Sequence, residues 1–199
     1  MSESARDAER SRSEKVALRS QLLTARRSLS EAACRTADRA VQASTLALVR
    51  ERQPTVCAAY APIGTEPGGR DLPDRLADCC TVLLPVLLPD GDLDWTRYDG
   101  TLRRSERGLL EPHGPTLGRS GITRAELIVA PAVAVSRTGM RLGRGGGSYD
   151  RALARAAESA FVVALLHDGE LVDQVPYEPH DRPVDAVITP SAGCIVIPG

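Results

Sequence analysis

A single α/β domain, with a mostly parallel central sheet flanked by helices in a Rossmann-like three-layer arrangement, is the architecture that the 199-residue sequence predicts. Three observations lead there. ELIVAPAVAV and AFVVALLHD are almost continuously apolar, as strands covered on both faces are. Such runs alternate with segments of helical period. A glycine-rich stretch joins one of the runs to a helix.

The elements follow in order. MSESARDAERSRSE is polar and charged with no apolar stretch, so residues 1–12 read as a disordered tail and 13–199 as one domain. Val16, Leu18, Leu22 and Leu23 give residues 13–27 helical spacing, with Ser13 as N-cap. A second helix starts at Ser30, has Glu31 in its first turn and is closed by Pro54. TVCAAYAP is a short buried strand, and IGTEPGGR a loop of the kind that carries function. RDLPDRLADCC suits a helix, and TVLLPVLLP is a strand broken at Pro85. GDLDWTRYDG reads as a turn and a strand with an exposed aromatic, Trp95, and residues 100–121 as irregular. ELIVAPAVAV is one strand. The Gly-rich segment 139–147 then opens a helix from Tyr149 to Ser159, followed by the strands AFVVALLHD, VDAVITP and CIVIP. Parallel sheets bind ligands at the carboxyl ends of their strands. Segments 61–70, 136–148 and 167–183 all follow expected strands, which puts them on one rim.

Composition narrows the partners. Apolar residues make up 42 % and charged residues 26 %, enough for a sizeable core. A net charge of -1 argues against a nucleic-acid partner, and no apolar run is long enough for a membrane span. Cys34, Cys57, Cys79, Cys80 and Cys194 are odd in number and lack C-x-x-C spacing, which suits free thiols in a reducing, cytoplasmic setting. His113, His167 and His180 share no metal-ligand spacing. Among 25 Lys and Arg residues only Lys15 is a lysine. It is either a chance survivor in a flexible segment or a site that needs a compact ammonium.

The strongest local signal is RTGMRLGRGGGSYDR, Arg137 to Arg151. Gly143, Gly145, Gly146 and Gly147 permit positive φ, and successive N–H groups ahead of a helix N-terminus form an anion cradle. Arg141 and Arg144 add charge for phosphate oxygens. Asp150, in the first helical turn, would be a magnesium ligand beside a polyphosphate. A Walker A loop is excluded because GK followed by Ser or Thr is absent. The dinucleotide fingerprint G-x-G-x-x-G also fails, since its third glycine falls at Ser148. A tight turn without any ligand is the plain alternative.

LIVAPAVAVSRTGMRLGRGGGSYDRAL resembles the signature of 5-formyltetrahydrofolate cyclo-ligases, an apolar strand followed by G-x-R-L-G-x-G-x-G, two aromatics and D-R. KVALRSQLLTARRSLS resembles the family's K-x-x-L-R helix and R-x-x-L-S. APIGTEP resembles its glutamate loop, GLLEPHG its E-P segment, and VPYEPHDRPVDAVITP its closing motif. Five blocks in order span about residues 15 to 190.

The resemblance implies ATP and Mg²⁺ as cofactors. Lys15 and Arg19 would contact ATP phosphates from one helix face, and Arg141, Leu142, Gly143, Arg144, Gly145, Gly146, Gly147, Ser148 and Tyr149 would form the nucleotide loop. Ala61, Glu66, Arg144, Gly145, Gly146, Gly147 and Ser148 would touch folate. Asp150 and Asp181 would bind metal, and Lys15 and Arg144 would be catalytic. It implies ATP-driven closure of 5-formyltetrahydrofolate, with or without a polyglutamate tail, to 5,10-methenyltetrahydrofolate through phosphorylation of the formyl oxygen. The enzyme would be a cytoplasmic monomer with no nucleic-acid or membrane partner. One departure stands out: Ser148–Tyr149 replaces the family's aromatic pair. A non-catalytic folate- or nucleotide-binding relative is the second reading, and a sugar-phosphate or acyl-CoA enzyme on a similar scaffold the third.

Overall fold

The computed structural model describes residues 3–177 and 182–198. In chain order it contains α1 (Glu3–Ser28), α2 (Glu31–Arg52), β1 (Val56–Ala58), α3 (Leu72–Ala77), β2 (Thr81–Leu87) and β3 (Leu93–Arg97). A hairpin, β4 (Leu102–Arg104) and β5 (Leu110–Pro112), leads through a 3₁₀ turn at Arg119–Arg124 to β6 (Leu127–Pro131), β7 (Ala134–Ser136) and β8 (Arg141–Leu142). Then come α4 (Ser148–Arg155), β9 (Phe161–Leu165), β10 (Leu171–Val172), β11 (Ala186–Thr189) and β12 (Gly193–Val196).

The main sheet has the order β12-β11-β9-β6-β1-β2-β3. Its five inner strands are parallel, and an antiparallel strand closes each edge. Starting from β1, the chain places β2 on one side and β6 on the other. The order therefore reverses between β1 and β6, and the carboxyl ends of these strands open a crevice there. The strands leave Ala58, Ile128, Ala130, Val162 and Ala164 on one face, and Cys57, Leu127, Val129, Val163 and Leu165 on the other, all buried. The α/β architecture with a mostly parallel sheet is as expected.

Several local expectations change. α1 runs back to Glu3, so Ser13 lies inside the helix and does not cap it. Ser30 does cap α2, its Oγ accepting from the Ala33 N–H at 3.2 Å. β2 runs through Pro85. Tyr98 donates to the Val82 carbonyl, whereas Ala59 donates to that of Leu83. Even-numbered residues of β2 thus serve β3 and odd-numbered ones serve β1. The last β1 partner is Ala58 opposite Leu83, so the missing N–H of Pro85 falls where no strand needs it. ELIVAPAVAV is two strands in two sheets, parted at Pro131–Ala132, because β7 leaves to pair with β8 and β10. Part of the segment expected to be irregular forms the β4–β5 hairpin. Trp95 is buried, not exposed. α4 stops at Arg155, where the Arg182 guanidinium collects the carbonyls of Ala156, Ala157 and Ala160 at 3.1–3.3 Å. All five cysteines are free thiols.

A buried polar contact holds α1 to the sheet. Arg26, in its last turn, grips Glu170 with two bonds: Nε to Oε1 at 2.6 Å and Nη2 to Oε2 at 2.7 Å. Nη2 also donates to the Ala132 carbonyl at 2.6 Å. The side chains are 1 % and 4 % exposed, so neither charge has water as an alternative partner. Glu170→Ala should therefore lower stability by about 3–5 kcal/mol, the cost of leaving one buried charge unpaired. Arg26→Met combined with Glu170→Met should recover part of the loss, as read from urea denaturation midpoints.

Candidate active site

A cavity of about 280 Å³ lies at the crevice between β1 and β6. Tyr60 and Ala61, just past β1, and Pro131 and Ala132, at the end of β6, form its floor. The glycine loop after β8 and the first turn of α4 form one wall, and the ends of β2, β3 and β5 form the other.

Two loops meet across the opening. Arg144 Nε pairs with Glu66 Oε1 at 2.9 Å, and Glu66 Oε2 accepts from the Ile63 N–H at 3.0 Å. The loop carrying Glu66 is fastened from three sides. Tyr60 donates its hydroxyl to the Pro67 carbonyl at 2.6 Å. Asp38 of α2 accepts from the Gly68 N–H at 3.1 Å, and Gln42 Nε2 donates to the Gly68 carbonyl at 2.6 Å. His167 Nε2 lies 2.9 Å from the Thr65 carbonyl, an acceptor, so that nitrogen carries the proton. The His167 backbone N–H in turn donates to Glu170 at 2.7 Å.

The glycine loop is braced on both flanks. Arg19 of α1 donates from Nε to the Gly143 carbonyl at 2.9 Å, and its guanidinium covers Gly145, where φ is +102 and an added Cβ would sit 3.4 Å away. On the other flank, Gly147 has φ +67, and a Cβ there would come within 2.8 Å of Arg151 Nη1. Positive φ favours glycine at both positions, and at Gly147 the Arg151 side chain would have to shift as well. Arg141, 3 % exposed, donates to Asp150 and to the Pro131 carbonyl. Tyr149 packs edge-on against Trp95 with centroids 6.4 Å apart. Burial, and then the negative charge of Glu66, push its phenol far up, so it stays protonated. Its buried hydroxyl has no hydrogen-bond partner among the described residues, which leaves a donor on the cavity wall.

The turn between β2 and β3 clamps α4. Ser148 Oγ and Arg151 Nη2 both donate to the Gly91 carbonyl, at 2.5 and 2.7 Å. Asp92, 5 % exposed at its side chain, meets Arg155 at 2.5 Å and Arg119 at 3.3 Å and accepts from the Leu93 N–H at 2.8 Å. Burial alone would raise its carboxyl, but Arg155, the Leu93 N–H and Arg119 outweigh that and hold it below the usual range.

A model of the 5-formyltetrahydrofolate cyclo-ligase family matches residues 11–190. The chain belongs to that family. A 5-formyltetrahydrofolate cyclo-ligase of Mycolicibacterium smegmatis is 43 % identical over 190 residues, covering 92 % of this chain and 97 % of that one. One from Haemophilus influenzae is 30 % identical over 154 residues, covering 74 % and 82 %. The solved structure of Aquifex aeolicus 5,10-methenyltetrahydrofolate synthetase superposes with a TM-score of 0.79 at 25 % identity, covering 93 % of each chain.

The cavity wall gathers most of the residues to which the family motif points: Ala61, Glu66, Arg141, Gly143 to Ser148, Tyr149 and Asp150. Leu142 faces away, 2 % exposed among Ala134 and Val175. Arg19 reaches the loop from α1, whereas Lys15, one turn earlier, is not part of the wall. Asp181 lies outside the described residues, as does His180. Trp95 backs Tyr149 and does not itself line the cavity. Sequence pattern alone assigns no site role to Asp92, His167 or Glu111; the first two act through the turn and the loop, and the third lies in the GLLEPHG block.

Asp92→Asn should cost about 1–3 kcal/mol at neutral pH, since the aspartate is buried while its arginine partners are partly solvated. Its folded pKa is depressed. Its stabilisation is therefore present above the unfolded value of about 3.9 and is lost as pH falls through the lower folded value. The gap between wild type and variant in denaturation free energy should be full at pH 6 and close under acid.

Proposed function

We propose that this cavity closes 5-formyltetrahydrofolate to 5,10-methenyltetrahydrofolate, with ATP as co-substrate and ADP and phosphate as the other products. The supporting observation is the convergence of a glycine loop at a helix N-terminus, the Glu66–Arg144 pair and Asp150 on one cavity at the switch point, in a chain of this family.

The chemistry explains the need for ATP. The oxygen of an N-formyl group is a poor leaving group. Transfer of the γ-phosphoryl group to that oxygen makes it a good one. The neighbouring secondary amine then attacks the formyl carbon, the carbon–oxygen bond breaks, phosphate departs and the amine loses its proton. No protein nucleophile takes part. The chain has to hold two substrates in line and neutralise charge on the phosphates.

Each residue has a part in this. The N–H groups of the loop from Gly143 to Gly147 cradle phosphate oxygens at the head of α4. Arg19 keeps the loop against α1, and Lys15, on the same helix face, places a compact ammonium at the phosphates. Leu142 contributes through its backbone at the start of the loop. Arg144 spans both substrates, because its partner Glu66 belongs to the folate loop. Ala61 and Ser148 border the folate, and the Ser148 hydroxyl is committed to Gly91. Tyr149 supplies a neutral donor.

Among the described residues no three His, Cys, Asp or Glu side chains gather around one point. Magnesium, which commonly takes one or two carboxylates together with substrate phosphates, fits Asp150 without such a cluster. Asp150 is 36 % exposed at the cavity and carries the Arg141 contact on Oδ1. Asp150 would hold the ion with Asp181, which would offset phosphate charge.

Incubating the protein with 5-formyltetrahydrofolate and Mg-ATP should produce the methenyl absorbance with one ADP per turnover. ATP-independent folate binding without product would instead identify a non-catalytic relative. Asp150→Ala should abolish turnover in a folded protein. Lys15→Arg should keep stability and raise the ATP Michaelis constant on the order of tenfold, because a forked guanidinium cannot occupy the ammonium's position. Unchanged kinetics in that variant would remove Lys15 from the site.

A further inference from the structure

We infer that Glu111 is the specificity-determining acceptor for the donor edge of the substrate's pterin ring; the inference rests on the folate reading above. The two walls of the cavity differ in kind. The loop wall is polar, with Arg141, Arg144 and Asp150. The opposite wall is Pro85, Leu87, Leu93, Leu109 and Leu110, and Glu111 is the one charged side chain that lines it among the described residues.

Glu111 is 6 % exposed. Among the described residues no cation comes within ion-pair distance, and the polar contact it makes is the Leu87 N–H, donating to Oε1 at 3.1 Å. That contact has a structural cause. Leu87 is an odd-numbered residue of β2, so its N–H points to the side that β1 has already vacated, and Glu111 takes the donor the sheet leaves over. Satisfying one N–H does not require a charge, however; a neutral amide or hydroxyl oxygen would serve. A carboxylate offers about four acceptor sites, and the Leu87 bond uses one of them. Burying the charge with so little compensation is unfavourable unless a ligand brings further donors.

A reduced pterin brings them. Its N3–H and 2-amino group lie side by side and present two parallel donors, the arrangement a carboxylate accepts bidentately. The apolar residues around Glu111 suit the ring faces, and the Leu87 bond holds the carboxylate in orientation. With that edge on Glu111, the formyl-bearing side of the ring is turned toward the loop wall, where the phosphates belong.

The test compares wild type and Glu111→Gln with 5-formyltetrahydrofolate and with its analogue lacking the 2-amino group. Glutamine keeps an acceptor for Leu87 but sets an amide N–H against the ring's donors. The expected result is a rise of at least tenfold in the folate Michaelis constant for the variant, with that for ATP within twofold. The analogue should show a similar loss on wild type and little further loss on the variant, because the two changes remove the same contact. The inference is overturned if the variant retains the wild-type folate constant, or if wild type takes the analogue as well as the parent. Should Glu111→Gln fail to fold, the analogue on wild type decides alone. Failure of wild type to turn over the parent compound would sink the functional reading instead, and is read in the same assay.

Discussion

The buried bond between Arg26 and Glu170 is the constraint on which the site's geometry depends. It joins the last turn of α1 to the segment after β9, and through the Ala132 carbonyl to the end of β6. Glu170 also receives the His167 N–H, and His167 reaches on to Thr65, next to Glu66. A chain of hydrogen bonds thus runs from α1, which carries Lys15 and Arg19, to the carboxylate that pairs with Arg144. Both candidate substrate positions refer back to one buried ion pair. Removing either charge would cost more than packing: it would uncouple the helix that braces the glycine loop from the loop facing it.

The topology explains why the contacts converge here. Reversal of strand order at β1 and β6 opens the crevice, and short strand ends leave backbone groups to be used. β1 stops at Ala58, so residues 85 to 87 of β2 have no neighbour on that side; proline removes one donor and Glu111 occupies another. The turn after β2 then folds over α4, with Gly91 and Asp92 receiving Ser148, Arg151 and Arg155. The glycine loop, which has little rigidity of its own, is held between Arg19 on one flank and this turn on the other.

Local pattern was enough for the parallel sheet, the second helix with its Ser30 cap and the glycine loop, because apolar runs, a cap residue and adjacent glycines are short-range signals. Motif order brought in Glu66, Arg144 and Asp150. What stayed hidden depends on long-range pairing. Whether Pro85 breaks a strand is decided by where β1 ends. Trp95 is covered by Tyr149 and the 3₁₀ turn, which sequence distance conceals. Arg26 and Glu170 are 144 residues apart, and one arginine among the 24 of the chain has no mark of being buried. Asp92 follows a Pro-Asp-Gly turn and reads as solvated until Arg119, Arg151 and Arg155 are placed around it.

The two closing strands of the sheet bear on how the molecule meets other chains. An open strand edge is a template onto which a foreign strand can add. At β3 that template is covered: the Trp95 carbonyl is taken by the Leu117 N–H at 2.7 Å, and Thr96 bridges to Thr116. At β12 the edge is four residues long, with Cys194 and Val196 exposed. Brevity is its protection, and self-association through added strands would start on that side of the sheet, away from the cavity.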